Sequence, residues 1–86
     1  PMDVKTACDA HSAQIKGIES PVCGNADLLI FPNIESGNTF YKTITVFAGA
    51  VIAGMLQGAM VPVVLPSRSD SAESKFYSLV MAVLTA

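Results

Sequence analysis

Two short apolar runs, Leu28–Phe31 and Val61–Leu65, carry no polar alternation. A strand with one wet face alternates apolar and polar residues. One covered on both faces does not, so both runs predict strands of a parallel sheet. Pro32 closes the first, and Pro62 sits near the start of the second, where a missing N–H is tolerable. Between them, helical patterning starts at Thr39, runs to about Gln57 and meets Gly58 as a stop. An earlier helix is predicted over Asp3–Ile15, with Val4, Cys8, His11 and Ile15 on one buried stripe, Asp3 as N-cap and Lys16-Gly17 as its close. Ile18–Asp27 reads as connection. The last helix, Ser71–Thr85, places Ala72, Phe76, Leu79, Val80 and Val83 on one face, with Asp70 and Glu73 as a capping box. The predicted order is α–β–α–β–α, an α/β chain whose two strands are parallel and joined right-handedly. Two strands cannot bury both faces alone, so the remaining strands of the sheet must come from elsewhere.

Composition points the same way. Of 86 residues, 51% are hydrophobic and only 14% charged, against about 25% charged in ordinary soluble domains. Residues 1–86 are therefore expected to be one piece of a longer protein, or a subunit that buries a large face. A net charge of −2 with five Lys and Arg argues against nucleic acid, which requires a basic stripe to neutralise phosphates. Cys8 and Cys23 are too few and too far apart for a zinc site or a redox pair, and read as free, mostly buried thiols of a cytoplasmic protein. Gly54 and Gly58 lie in a long uncharged stretch between Lys42 and Arg68. Its helix-compatible part, Val46–Met60, is shorter than the ~20 residues a membrane span needs, so no span is expected.

The chemistry is expected at two polar loops, Asn33–Asn38 and Pro66–Ser71. Each follows a predicted strand and precedes a helix, which puts both at the carboxyl edge of a parallel sheet, where ligands gather. Each also leads into a helix N-terminus, whose free amides favour an anion. Arg68 can offer a bidentate fork to phosphate or carboxylate. Plainer readings of the same residues stand beside this one. Ser36, Gly37 and Asn38 could only turn the chain, Ser67, Ser69 and Ser71 could only surround a cap, Glu73 could only cap, and Arg68 could pair with Asp70 or Glu35. His11 on an apolar stripe reads as a core histidine rather than a base.

The stretch Gly24–Asn38 with Tyr41-Lys42, and the stretch Val63–Lys75, together resemble the phosphate acetyl/butyryl-transferase family, most closely its butyryl and branched-chain members. That resemblance implies a three-layer αβα piece of a fold like that of isocitrate and isopropylmalate dehydrogenases. It also implies a longer parent protein with a further domain, and a homo-oligomer. The implied reaction moves an acyl group between coenzyme A and inorganic phosphate, with no metal or prosthetic group. By resemblance, Ser67 would hydrogen-bond the reacting carbonyl or thiol, and Arg68 would hold the phosphoryl group. Asn33, Ser36, Gly37, Asn38 and Asp70 would line the phosphate or coenzyme A side. Acetyl-specific relatives carry an aspartate seven positions after the serine. Here that position is Ser74, so the acid-base role passes to Glu73, with Asp70 as the other acid nearby. Those relatives also carry an arginine where this chain has Val46, which suggests a longer, more apolar acyl group. Alone, the piece is expected not to turn over substrate.

Two other functions compete. The Ala50, Gly54, Gly58 spacing on a helix would suit an inactive oligomerisation module. A dehydrogenase of related fold is disfavoured by the lack of closely spaced acidic metal ligands and of GxGxxG.

Overall fold

A computed structural model describes residues 2–86. The chain divides into two compact units, Pro1–Ile34 and Glu35–Ala86.

In the N-terminal unit, α1 (Val4–Cys8) and α2 (Ala10–Lys16) pack on each other. The sequence predicts one helix here, because the apolar period runs on across residue 9. Asp9 breaks it. Its backbone is extended (φ −131°, ψ 108°), and its carboxylate accepts from the Ser12 amide at 3.2 Å, closing α1 and capping α2 at once. Asp3 caps α1 by accepting from the Thr6 amide at 2.8 Å, and it forms an ion pair with Lys16. Gly17 ends α2 in a left-handed conformation (φ 65°), as expected, and the Ile18 amide donates to the Ala13 carbonyl at 3.1 Å.

The expected stripe is overturned. Val4, Cys8, His11 and Ile15 are all exposed, whereas Thr6, Ala7, Ser12 and Ala13 are buried. Small residues let the two helices and the following loop approach closely. Gly24 (φ 72°) donates its amide to the Thr6 carbonyl at 3.1 Å, and the Ala26 amide reaches the Ala7 carbonyl at 3.2 Å. A Cβ at Gly24 would lie 2.6 Å from the Ala10 nitrogen. Both cysteines are free, but Cys8 is exposed and Cys23 half-buried, so the expectation of mostly buried thiols fails.

In the C-terminal unit, α3 (Ile34–Phe47) starts five residues earlier and ends ten earlier than the apolar pattern suggests. Its carboxyl end is set by Gly49 (φ 64°). The Ile44 carbonyl accepts from both the Ala48 and Ala50 amides, each at 3.1 Å, and the chain then leaves the helix. Ala50, Gly54 and Gly58 therefore do not share a helix face, which removes the basis for the oligomerisation reading. The segment from Ala50 instead runs along α4 (Ala72–Leu84). Alternate amides, those of Ile52 and Gly54, donate to Ser74 Oγ at 3.3 Å and Ser78 Oγ at 3.0 Å. This period of two belongs to an extended chain.

The buried stripe of α4 is Ser74, Ser78 and Ala82, not Phe76, Leu79 and Val83, which stay exposed. Small side chains are what the close backbone approach requires. Ser71 caps α4 by accepting from the Ser74 amide at 3.1 Å, so the N-cap is one residue later than the predicted Asp70 and Glu73 is not its capping-box partner.

In place of α–β–α–β–α, the described residues show four helices. One isolated antiparallel bridge joins Leu56 to Val63, with the Leu56 amide donating to the Val63 carbonyl at 2.9 Å. Leu28–Phe31 has no strand neighbour among the described residues, and Val61–Leu65 has only this bridge. A ladder needs a second backbone to accept its hydrogen bonds. Leu28 and Ile30 accordingly remain 74% and 81% exposed.

Candidate functional site

The polar centre of the C-terminal unit is a tight turn over residues 67–70. The Asp70 amide donates to the Ser67 carbonyl at 3.1 Å, which puts Arg68 and Ser69 at its two corners. The Asp70 carboxylate holds the turn from both ends. Its Oδ2 accepts from the Ser67 amide at 2.9 Å, and its Oδ1 accepts from the Tyr41 hydroxyl. The Tyr41 hydrogen bond is the largest of the influences that hold the Asp70 carboxyl below the usual carboxylate range. The Ser67 amide and the charges of Lys42 and Lys75 act in the same direction against partial desolvation. The same contact raises the Tyr41 phenol above its ordinary value.

Lys42, beside Tyr41 on α3, reaches the turn as well. Its Nζ donates to Ser67 Oγ at 3.1 Å and to Ser69 Oγ at 3.3 Å, and lies 4.6 Å from the centroid of the Tyr41 ring. The two serine hydroxyls are 3.1 Å apart. Asn38, Tyr41, Lys42 and Thr45 fall on one face of α3 by their spacing. That face and the turn border a cleft of about 340 Å³, lined by Tyr41, Lys42, Val46, Ser69, Asp70 and Ser74 among others.

The expected site residues thus sort by position. Ser67 and Asp70 are brought together with Arg68 between them. Arg68 is exposed and forms no hydrogen bond or ion pair among the described residues, so pairing with Asp70 or Glu35 is not observed. Glu73 is exposed in the first turn of α4. Ser36, Gly37 and Asn38 are helical rather than loop, in the opening turns of α3 and ahead of Tyr41 and Lys42. Asn33 precedes α3 and belongs to the N-terminal unit.

Sequence reasoning counted Tyr41 and Lys42 in the resembling stretch and Ser69 among residues around a cap, but gave none of the three a role at the site. One signal was available. Lys42 and Arg68 are the two cations that bound the uncharged stretch, and Lys42 lies one helical turn beyond Asn38.

Among the described residues no group of three or more His, Cys, Asp or Glu could hold a metal ion, and no helix is long and apolar enough to cross a membrane.

Comparison with known proteins extends over almost the whole chain. The family model described as phosphate acetyl/butaryl transferase matches residues 1–83. A phosphate acetyltransferase of Thermotoga maritima is 44% identical over 86 residues, covering 100% of this chain and 29% of the relative. A probable phosphate butyryltransferase of Bacillus subtilis is 43% identical over 83 residues, covering 96% and 28%. Acetyl- and butyryl-named relatives thus stand at nearly equal identity. The crystal structure of a branched-chain phosphotransacylase from Enterococcus faecalis superposes with a TM-score of 0.84 at 43% identity, covering 96% of this chain and 31% of that one. The chain spans less than a third of the length of each of these relatives. With both polar segments inside the matched region, this chain belongs to the phosphate acetyl/butyryl transferase family.

Proposed function

We propose that the protein carrying this chain transfers a butyryl or similar short or branched acyl group between coenzyme A and inorganic phosphate. A phosphate oxygen attacks the thioester carbonyl, the carbon–sulfur bond breaks, and acyl phosphate and the coenzyme A thiol are the products. The observation that carries the reading is the turn at residues 67–70, tied down through Asp70 and Lys42 while the guanidinium at its corner stays unpaired. Such a guanidinium suits a bidentate grip on phosphate. Ser67 would hydrogen-bond the reacting carbonyl, whose oxygen gains negative charge in the transition state. Asp70 serves in this reading by holding the turn, since each of its two oxygens accepts a hydrogen bond that ties it, from Tyr41 and from the Ser67 amide.

Glu73, exposed in the first turn of α4, is the acid-base group for the thiol in this reading. Ser36, Gly37 and Asn38, in the opening turns of α3, would contact phosphate or coenzyme A. Val46 in the cleft wall supports an apolar acyl chain over acetyl. The rest of the protein would supply the missing strands of a parallel three-layer sheet and the remaining cations of the site. The exposed apolar residues Leu28, Ile30 and Phe47 favour such covering. A cytoplasmic homo-oligomer completes the proposal.

The test is Arg68→Ala in the full-length protein, assayed with butyryl-CoA and phosphate. Turnover should fall about a thousandfold with an unchanged circular dichroism spectrum, the scale of losing a key charge-stabilising donor. Wild-type rates would remove Arg68 from the mechanism.

A further inference from the structure

Lys42 stands behind the two serines of the turn, and its chemistry fixes which way their protons run. An ammonium group has three donors and no acceptor. Its contacts at 3.1 Å with Ser67 Oγ and 3.3 Å with Ser69 Oγ therefore make both oxygens acceptors. The Ser69 amide lies 3.4 Å from Ser67 Oγ and adds to the donation. The hydroxyls are 3.1 Å from each other, so one of their two protons bridges the pair. Ser67 Oγ, which already accepts from Lys42 and the Ser69 amide, gives its proton to Ser69 Oγ, and the Ser69 proton has no acceptor within the pair or at Lys42. It is left for a ligand oxygen.

From this we propose that Lys42 makes the Ser67–Ser69 hydroxyl pair a one-way hydrogen-bond donor to the reacting carbonyl oxygen, with Lys42 a positioning residue and Ser69 a second member of the donor. The inference rests on the acyl-transfer reading and sharpens it. The direct contact of Ser67 with the carbonyl is thereby replaced by one made through Ser69, and Ser67 is a link in the donor and not an acceptor from the thiol. As phosphate attacks and the carbonyl oxygen becomes negative, the outward proton meets growing charge, and the cation behind it strengthens the bond by polarising the chain of hydroxyls. Lys42 is itself held in place. Its ammonium lies over the Tyr41 ring, whose hydroxyl is bound to Asp70. Ser69 and Lys42 both line the 340 Å³ cleft, so the donor opens onto space a substrate can fill.

The experiment uses the full-length protein with butyryl-CoA and phosphate. Lys42→Met keeps the length of the side chain and removes its donors. It should lower kcat about tenfold or more while moving KM for either substrate less than about twofold, because the donor acts on charge present only in the transition state. Lys42→Arg, which retains donors, should recover most of that loss. In a Ser67→Ala/Ser69→Ala background, adding Lys42→Met should cost no more than about twofold, the non-additivity of groups that act through one another. A full additional loss in that background would overturn the proposal. So would a raised KM for phosphate at unchanged kcat, which would make Lys42 a direct anion ligand. If Lys42→Met does not fold, Lys42→Leu, which also lacks donors, gives the same readouts. An inactive wild type sinks the acyl-transfer reading and this inference with it, whereas an active wild type leaves the Lys42 variants to decide this inference alone.

Discussion

The side-chain caps of the N-terminal unit are local, whereas the turn at residues 67–70 of the C-terminal unit is tied across the chain. Asp3 and Asp9 each cap the helix that follows by accepting from an amide three residues on. In the turn at residues 67–70, by contrast, Asp70 takes the hydroxyl of Tyr41 from 29 residues away, and Ser67 takes the ammonium of Lys42 from 25 residues away. Local caps stabilise a helix wherever it sits. Long-range bonds fix the position of one side chain against another, which is what a site for a small anion requires. The contrast fits the proposed function, in which the chemistry sits in the second region.

The most forceful way to break that assignment is Asp70→Ala in the full-length protein. Removing the carboxylate frees the Ser67 amide and the Tyr41 hydroxyl together, so the turn loses both ties that run through Asp70 and keeps only those from Lys42. Turnover should drop about a hundredfold, as misplacement of a catalytic group by an ångström does. A rate close to wild type would show that the turn holds its shape without them.

Gly24→Ala should do the reverse, harming stability and sparing chemistry. It forces a side chain into a left-handed backbone (φ 72°) and against the Ala10 nitrogen at 2.6 Å. The expected cost is about 2 kcal/mol or more, combining a left-handed penalty with overpacking. Denaturant midpoints would measure it, and kcat per folded molecule should stay unchanged. A lowered kcat would mean that the N-terminal unit reaches the chemistry after all.

The smallest effect concerns acid. The Lys16 hydrogen bond, ahead of that from the Thr6 amide, lowers the Asp3 carboxyl from 3.8 to about 2. A group depressed in the folded state contributes stability above its unfolded value and loses it as pH falls through its folded value. The stability gap between wild type and Asp3→Asn should therefore be constant above about pH 5 and close between pH 4 and pH 2. Asp70, lowered by Tyr41, follows the same sign, and Tyr41, raised above 10.0, contributes below pH 10 and loses its contribution as pH rises beyond it. A gap at Asp3 that does not change with pH would remove the ion pair from the account.

Much of this was legible in the residues, and the failures share a cause. Asp3, Gly17 and the polar stretch 66–71 were found because caps and turns depend on near neighbours. The stretch from Ala48 to Gln57 was misread as helix because Ala, Val, Ile and Met suit a buried helix and a buried extended chain equally well. Gly49 decided it, by leaving α3 in a left-handed conformation. The stripes on the first and last helices were misassigned for a related reason. Hydrophobic period marks the faces that can be buried, but close backbone contacts selected the small ones, Ala7 and Ala13 in the first unit and Ser74, Ser78 and Ala82 in the second. The large apolar faces remain open within this chain.

The sequence by itself determined the family, the polar turn-forming stretch 66–71, the cap at Asp3 and the stop at Gly17, since all of these are written within a few consecutive residues. Only the tertiary structure decided that Tyr41 and Lys42 meet the turn and that the Asp70 carboxylate ties it. Those assignments depend on which distant side chains meet, and no local pattern encodes a contact that spans more than two dozen residues.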